Sequence, residues 1–478
     1  MNTKFVPVSF RVLFTILIAL IILASSIVGH RIYLLKFKAE TVLKPSSYYV
    51  DTNFIKFEVE SQPVKNVSAT LLLESKSVNS KTVLLIISDR KSGELNTYVR
   101  RMNQDGSIRL FKNSTYKLSQ FVDTNSYTDS SLYVFDLMID KSVLYLSLVE
   151  IPRNRTECDL FKVLSINISE LNLDSESLRQ VWQSSTCTKS FPNNPGWNDF
   201  HGRLAYSNNF IYLTAGLLIA STYQGLYPNP NIYNLDPDLF REIGKDKLFG
   251  SIIQINKVSG ESREFATGFR GPSGITILKG DKGEESIWVV DHGPRGGDEL
   301  NLIQPGAHYG WPYVSLGSKY FIPAPQDSKT LVIPTKFGTH EGYTIPKYVW
   351  TPSVAPSTIT NLSADIDSSG TWTRGDLLIG TLKGNSLIHI KLDKDRVLLA
   401  EEVYLGVRIR DISVNNDLIF VSTDDGRILT LSPKAITAPN GPFPDIYPKA
   451  KYFYLKIPGM VPVIAWVDTA LRKFAAQW

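Results

Sequence analysis

A glycine-rich stretch with two adjacent carboxylates is the part of the sequence best suited to chemistry. It reads DHGPRGGDELN over residues 291–301 and is followed by GAHYGWP over residues 306–312. The Gly-Pro-Arg-Gly-Gly segment predicts a tight loop after a strand. Such a loop can direct backbone carbonyls outward, and carbonyl and carboxylate oxygens are the ligands that Ca²⁺ takes. Judged by composition alone, the stretch is more typical of an ordinary Gly-rich turn with solvated acids.

The elements that position this loop are predicted to be strands. From about residue 49 to residue 433, short β-branched and aromatic runs alternate with Gly, Asn, Asp and Ser turns, and helical periodicity is nearly absent. Two segments, 377–392 and 418–432, indicate hairpins, the second with Asp-Gly at its turn. Many short strands predict a sandwich, barrel or propeller. This length accommodates six blades of about 40–50 residues with long loops, although periodicity alone does not count them.

An apolar segment near the start predicts a membrane anchor. Residues 12–29 carry no charge and follow Lys4 and Arg11. Eighteen residues span a bilayer core of about 30 Å as a helix, whereas a cleaved signal peptide has a shorter apolar stretch of about 7–15 residues. We therefore predict a cytoplasmic end at 1–11, a transmembrane helix at 12–29, a linker at 30–48 and an extracytoplasmic propeller at 49–433, with a cleaved signal as the alternative.

Composition restricts the remaining function classes. The formal net charge is +5 over 478 residues, with no Lys/Arg block, so a nucleic-acid partner is not expected. Two cysteines, Cys158 and Cys187, are too few for an all-cysteine zinc site. They are expected to form a disulfide if the domain lies outside the cytoplasm, and otherwise are two separate thiols.

The chain ends in a different kind of sequence. Residues 434–478 comprise a Pro-rich connector and an aromatic tail with Trp466 and Trp478. Prolines and charges make this tail a poor membrane span. It is expected to be either an interfacial or docking segment or a strap packed on the propeller.

Several motifs in one order resemble the glucose/sorbosone dehydrogenase family. They are HGPRGGDELN with YGWP, GFRGPSGI (268–275), WTPSVAPS (350–357), GTLKGNSL (380–387), GVRIRDI (406–412) and FHGRLAY (200–206). The resemblance covers about residues 192–433. It implies a six-bladed all-β propeller with pyrroloquinoline quinone (PQQ) on its axis, Ca²⁺ as a second cofactor, and an aldose sugar as substrate.

The resemblance assigns cofactor-binding residues. Lys383, Arg408 and Arg410 match the cations around PQQ, Arg270 matches an arginine beside cofactor and substrate, and Ser353 matches a nearby hydroxyl. PQQ carries three carboxylates, and arginine can hold carboxylates with two parallel hydrogen bonds. Arg408 and Arg410 are two apart on a predicted strand, so they share a face.

Calcium ligands follow from the same resemblance. Gly293 and Pro294 match positions whose backbone carbonyls hold the Ca²⁺ that polarises the quinone. Asp298, Glu299 and Tyr309 match a second, structural calcium site.

The sequence departs from the family pattern at two positions, and the first departure concerns the catalytic base. The family's histidine lies four residues before the arginine of its Gly-Arg pair, where this chain has Asp199, and a histidine, His201, follows two residues later. Two residues along a strand amount to about 6.6 Å. We expect Asp199, aided by His201, to serve as the base. The second departure is Gly271, where the family usually has asparagine.

Three functions remain open at this point. The first is oxidation of aldose sugars, with electrons passing to a membrane quinone or a cytochrome. The second is a non-catalytic binding propeller, which the altered histidine favours and the retained cations oppose. The third is a subunit of a larger membrane complex.

Overall fold

The computed structural model describes part of the chain, and all structural statements below concern that part. The described residues are 46–52, 55–64, 71–79, 82–90, 93–102, 108–118, 131–151, 160–185, 200–216, 234–235, 248–280, 282–318, 331–332, 335–366 and 370–434. Their regular structure is almost entirely strand, as the alternating sequence pattern predicts.

The strands form a six-bladed propeller. The chain enters through strands β1 (Ser46–Asp51) and β2 (Lys56–Pro63). The next two four-stranded blades are β3 (Leu71–Asn79), β4 (Thr82–Asp89), β5 (Glu94–Met102) and β6 (Ile108–Lys117), then β7 (Ser131–Asp140), β8 (Val143–Ile151), β9 (Leu160–Ser169) and β10 (Asn172–Gln183). A fourth group of strands comprises β11 (His201–Tyr206), β12 (Phe210–Ala215), β13 (Asn234–Leu235), β14 (Ser251–Asn256) and β15 (Ser262–Thr267). In this group, β13 lies outside the blade, which has the order β11-β12-β14-β15.

The remaining strands complete the ring. They are β16 (Pro272–Lys279), β17 (Glu285–Asp291), β18 (Asp298–Ile303), β19 (Val314–Ser315), β20 (Leu331–Val332), β21 (Lys336–Phe337), β22 (Tyr348–Trp350), β23 (Pro356–Asn361), β24 (Leu377–Thr381), β25 (Ser386–Asp393), β26 (Arg396–Tyr404), β27 (Ile409–Asn415), β28 (Leu418–Thr423) and β29 (Arg427–Lys434). One blade has the order β16-β17-β18-β22 and the next the order β23-β24-β25-β26. Two small sheets, β13-β20 and β19-β21, are formed by connections within blades, the one from β12 to β14 and the one from β18 to β22.

The last blade joins the two ends of the described chain. It has the order β1-β2-β29-β28-β27, so β2 pairs in antiparallel fashion with β29. An unpaired strand edge would otherwise be exposed at the place where the ring closes. The predicted hairpin over 418–432 is confirmed as β28 and β29, and Gly426 at its turn has φ +77°.

The innermost strands surround the axis and fix the position of the site. They are β3, β7, β11, β16, β23 and β27, and each is packed against the next around a closed ring. A central cavity of about 530 Å³ is lined by all six of them. Between neighbouring blades, apolar side chains interleave. Phe161 of β9, for example, stacks on Phe200 with ring centroids 3.8 Å apart.

The predicted anchor lies outside the described residues, as do the predicted linker up to residue 45 and the predicted tail from residue 435, whereas residues 46–48 already belong to β1 and residue 434 to β29. In the part of the chain that is described, no helix is long and apolar enough to cross a membrane.

Candidate active site at one end of the axis

The motifs singled out in the sequence converge on one end of the propeller axis. His201 opens the inner strand β11, Arg270 and Gly271 directly precede β16, and Arg408 directly precedes β27. The loop after β17 and the turn between β24 and β25 belong to the same end, because those outer strands run antiparallel to the inner ones. Residues far apart in sequence therefore meet where the inner strands begin.

His201 lies among cationic groups at this end. Burial lowers the pKa of His201 well below 6.5, and the electrostatic influence of His292, Arg90, Arg203 and Arg270 lowers it further. At neutral pH the imidazole is therefore uncharged and has a nitrogen lone pair available to accept a proton.

A tight turn aims the His201 side chain. His201 has φ +66° and Gly202 has φ +60°, and β11 is irregular in register between His201 and Leu204. A Cβ at Gly202 would come within 2.6 Å of Phe135, so only glycine fits there. A non-glycine residue in the left-handed region is uncommon and is over-represented at functional sites.

Asp291 positions the loop that carries Arg270. Its two carboxylate oxygens accept the backbone N–H groups of Arg270 at 3.0 Å and Gly271 at 2.6 Å. Burial raises the pKa of Asp291 to about 7, with Glu299 adding to the effect and the two N–H donors opposing it. The sequence did not single out Asp291 as a site residue, because its carboxylate acts on backbone groups.

The Arg270 guanidinium faces the glycine-rich loop. Its Nη1 donates to the carbonyls of His292 at 2.8 Å and Gly293 at 3.0 Å, and the group lies 5.8 Å from the Trp311 ring centroid. The Gly293 carbonyl, which the resemblance assigned to Ca²⁺, thus accepts a hydrogen bond from a cation in this arrangement. Pro294 is buried beside it.

Asp298 holds the glycine-rich loop together. One oxygen accepts the N–H of Gly293 at 3.1 Å. The other accepts the Ser353 hydroxyl at 2.7 Å and the N–H groups of Val354 at 2.8 Å and Ala355 at 2.7 Å. Asp298 is fully buried. Asp298 and Ser353 thus bind each other and the backbone, which joins the blade of β18 to that of β23.

The other two residues of the predicted second calcium site, Glu299 and Tyr309, form hydrogen bonds with different partners. Glu299 accepts Asn301 Nδ2 at 3.1 Å and lies 3.2 Å from His340 Nε2. The Tyr309 hydroxyl donates to the Leu302 carbonyl at 2.6 Å, and burial raises its pKa to about 12. Among the described side chains, no group of three or more His, Cys, Asp or Glu is arranged to hold a metal ion. The second calcium site stays a prediction.

Arg408 and Arg410 share one carboxylate. Both donate to Asp424, Arg408 Nε at 2.5 Å and Arg410 Nε to the other oxygen, so the two side chains do lie on one face. Burial alone would raise the pKa of Asp424, but the hydrogen bonds from Arg410 and Arg408 outweigh it and lower that pKa. Ile409 between them is fully buried. Lys383 is exposed at the same end.

Arg90 is a cation of this end that the sequence did not indicate. It follows β4, in the half of the chain without family motifs, and is 7% exposed. Its Nε, like that of Arg270, has no hydrogen-bond partner among the described residues. A buried guanidinium with spare donors is suited to an anion, and only the tertiary structure brings Arg90 to His201.

A comparison with sequence families identifies the fold's relatives. Residues 245–430, which include β16 to β28 and the glycine-rich loop, match the model of the glucose/sorbosone dehydrogenase family. This part of the β-propeller is therefore similar to the glucose/sorbosone dehydrogenase family.

Two curated proteins and one solved structure are also similar to this chain. An uncharacterised protein of Synechocystis is 29% identical over 50% of this chain and 57% of its own length. The aldose sugar dehydrogenase YliI of Escherichia coli is 27% identical over 54% of this chain and 67% of its own length. The solved apo-form of the soluble aldose sugar dehydrogenase of Escherichia coli superposes with a TM-score of 0.53 at 22% identity, covering 79% of this chain and all of that one.

Three predicted site residues fall outside the described ranges. Asp199, Cys158 and Cys187 lie there, so the predicted base at Asp199 and the disulfide stay predictions. Of the two candidate bases, His201 is the one whose surroundings are described.

Proposed function

We propose that this propeller oxidises aldose sugars, with PQQ and Ca²⁺ as cofactors. The observation that carries the proposal is the uncharged imidazole of His201 among guanidinium groups at one end of the axis. The match of residues 245–430 to the family model and the name of the E. coli relative support a dehydrogenase over a non-catalytic binding propeller.

The cations present fit a small ligand with several carboxylates. Arg90 and Arg270 have buried Nε groups without partners in the described chain. Arg408, Arg410 and Lys383 add positive charge, of which Asp424 offsets one unit. A tricarboxylate such as PQQ would satisfy these donors. Arg408 and Arg410 retain donors beyond those that Asp424 uses.

The fit to Ca²⁺ rests on backbone oxygens. Gly293 and Pro294 would hold it through their carbonyls, because Asp298 is already saturated by four donors. When bound, PQQ would supply the acceptor for the hydride of the sugar's anomeric carbon, and Ca²⁺ would supply polarisation of that acceptor.

The chain's own residues supply proton transfer and orientation. Neutral His201 accepts the proton of the anomeric hydroxyl at one of its ring nitrogens. Asp291 fixes the backbone at Arg270, and the carbonyls of His292 and Gly293 fix its guanidinium, so Arg270 presents a preorganised positive charge beside His201. Reoxidation of a bound quinone would need an electron acceptor, for which a membrane quinone or a cytochrome is proposed.

Replacing Lys383 with alanine tests cofactor binding. We expect PQQ affinity to fall about 10- to 100-fold, which corresponds to losing one hydrogen bond between charged groups, about 1.5–3 kcal/mol. The measurement is absorbance during PQQ titration of purified apo-protein with Ca²⁺. Lys394→Ala is a matched control, because Lys394 follows β25 at the far end from Lys383. Equal affinity in both variants, or no binding by the unmodified protein, contradicts the proposal.

We also propose that residues 12–29 anchor the chain and that the propeller lies outside the cytoplasm, where Cys158 and Cys187 can pair. Protease added to intact cells, after any outer barrier is opened, is then expected to remove the propeller. Protection equal to that of a cytoplasmic marker protein contradicts this placement.

A further inference from the structure

The two departures from the family pattern face each other in space. A Cβ built on Gly271 would lie 2.9 Å from His201 Nε2 and 3.5 Å from His201 Cδ2. Side-chain carbons essentially never approach other heavy atoms within 3.0 Å. The imidazole of His201 therefore occupies space that any side chain at position 271 would need.

The backbone at Gly271 cannot easily move to make room. Its N–H donates to Asp291 at 2.6 Å, and its carbonyl accepts the N–H of His292 at 2.8 Å. On its other side, the same Cβ would lie 3.4 Å from His292 Cβ. Gly271 does not have a positive φ, so an L-residue there meets no backbone strain. The conflict is thus confined to the ring of His201.

The backbone at His201 is held equally firmly. Gly202 packs directly on Phe135, and its carbonyl accepts the Ser147 hydroxyl. The next residue, Arg203, is fixed by an ion pair with Asp136 at 2.7 Å. A side chain at 271 would therefore displace the imidazole by rotation about its side-chain bonds.

We propose that Gly271 positions His201: the missing side chain at 271 leaves the space in which the imidazole sits at the axis. His201 and Gly271 act as a matched pair. The histidine, two residues from its position in the family, occupies the space that the side chain of the family's asparagine would need at position 271. The steric pairing stands on the geometry. Its importance for catalysis rests on the proposed function, in which His201 is the base.

Gly271→Ala tests the pairing in the apo-protein. The readout is the titration of the His201 ring followed by NMR, with His201→Ala used to assign its signal among the six histidines. In the unmodified protein the titration is expected well below pH 6.5. In Gly271→Ala the ring is displaced towards solvent, so its titration moves upward toward the ordinary value near 6.5.

Gly280→Ala is the matched control. Gly280 follows β16 at the opposite end from Gly271, also lacks a positive φ, and its Cβ would meet only the end of the Glu284 side chain. Its replacement is expected to leave the His201 titration unchanged. An unchanged titration in Gly271→Ala as well would overturn the proposal.

A double-mutant cycle gives a second test that does not depend on the cofactor. Any decrease in denaturation midpoint caused by Gly271→Ala is expected to disappear in the His201→Ala background, because the obstructing ring is gone. The same decrease in both backgrounds would overturn the proposal by assigning the conflict to His292 or the backbone. Failure of PQQ to bind would instead contradict the proposed function and leave both apo-protein results standing.

Discussion

Replacing His201 with alanine is expected to lower the turnover of an aldose about 100- to 10,000-fold, the range that one general base contributes. The reason is its surroundings: burial and neighbouring cations keep the imidazole neutral and ready to accept a proton. Turnover is measured with PQQ, Ca²⁺ and an artificial electron acceptor. PQQ affinity, measured separately by absorbance, is expected to change far less than turnover.

The pH dependence of kcat/KM in the unmodified enzyme also tests whether His201 is the base. A base works in its deprotonated form, so activity is lost as pH falls through its pKa. Because the pKa of His201 lies well below 6.5, the acid limb of kcat/KM is expected below pH 6.5. In Gly271→Ala that limb is expected to move upward, in parallel with the NMR titration.

Asp199 provides the contrast that assigns the base. If His201 is the base, Asp199→Asn retains most turnover. Loss in Asp199→Asn with retention in His201→Ala would contradict the assignment and restore Asp199, the residue that the family register favours. No turnover in any variant, with PQQ and Ca²⁺ demonstrably bound, would contradict the enzymatic proposal itself.

The segment before Arg203 shows which part of the candidate base site the sequence predicts and which part it does not. Counting back from Arg203 puts Asp199 at the family's histidine position, and the offset of about 6.6 Å expected between Asp199 and His201 assumes a regular strand. The structure has an irregular turn there, with left-handed backbone at His201 and Gly202. A local change of direction decides which side chain points to the axis, and alternation along a strand does not encode it.

The glycine-rich loop gives a related lesson. The sequence correctly indicated a tight turn after a strand, now the segment following β17. Acidic residues there were predicted to hold a metal, yet Asp298 binds the Ser353 hydroxyl and three backbone N–H groups. Three of those four partners come from a segment 55 to 57 residues away, and composition cannot tell a metal ligand from a carboxylate that fixes a loop.

For the fold, the strands were predictable and the closure was not. Short alternating runs such as 418–432 define hairpins locally. The pairing of β2 with β29 joins the two ends of the propeller, for example Val59 with Leu431. Pairings between residues so far apart in the sequence leave no periodic signal. The number of blades was therefore implied by the family resemblance and could not be counted from sequence repeats.

Replacing Arg203 with methionine is expected to give a large stability loss, about 3–5 kcal/mol, the typical effect of removing one partner of a buried ion pair. Arg203 is 3% exposed and donates to Asp136 at 2.7 Å and Asp411 at 3.1 Å. It also donates to three backbone carbonyls, those of Ser273, Ser357 and Arg410. These partners belong to four other blades, so one side chain connects five of the six at the axis.

Denaturant unfolding measures the effect, with Arg396→Met as the matched control. Arg396 pairs with Asp393 on the surface and is 71% exposed, so its loss is expected to change stability by less than about 1 kcal/mol. Arg203→Lys is expected to recover only part of the loss, because an ammonium cannot replace a planar guanidinium that reaches five acceptors. Equal midpoints for Arg203→Met and Arg396→Met would contradict the central role of Arg203.

Lowering the pH is expected to reduce the difference in unfolding free energy between Arg203→Met and the unmodified protein. Burial raises the pKa of Asp136 to about 6, with Arg203 opposing the rise and Asp411 adding to it. A carboxyl whose pKa is higher in the folded than in the unfolded state favours folding as pH falls through that range. Without Arg203 the pKa of Asp136 rises further. The free energy of unfolding of the variant is therefore expected to be closer to that of the unmodified protein at pH 5 than at pH 8.

Asp411→Asn in the Arg203→Met background removes one unpaired charge and is expected to restore part of the lost stability at pH 8. A deficit that is constant with pH would mean that lost hydrogen bonds, rather than buried unpaired carboxylates, account for the effect.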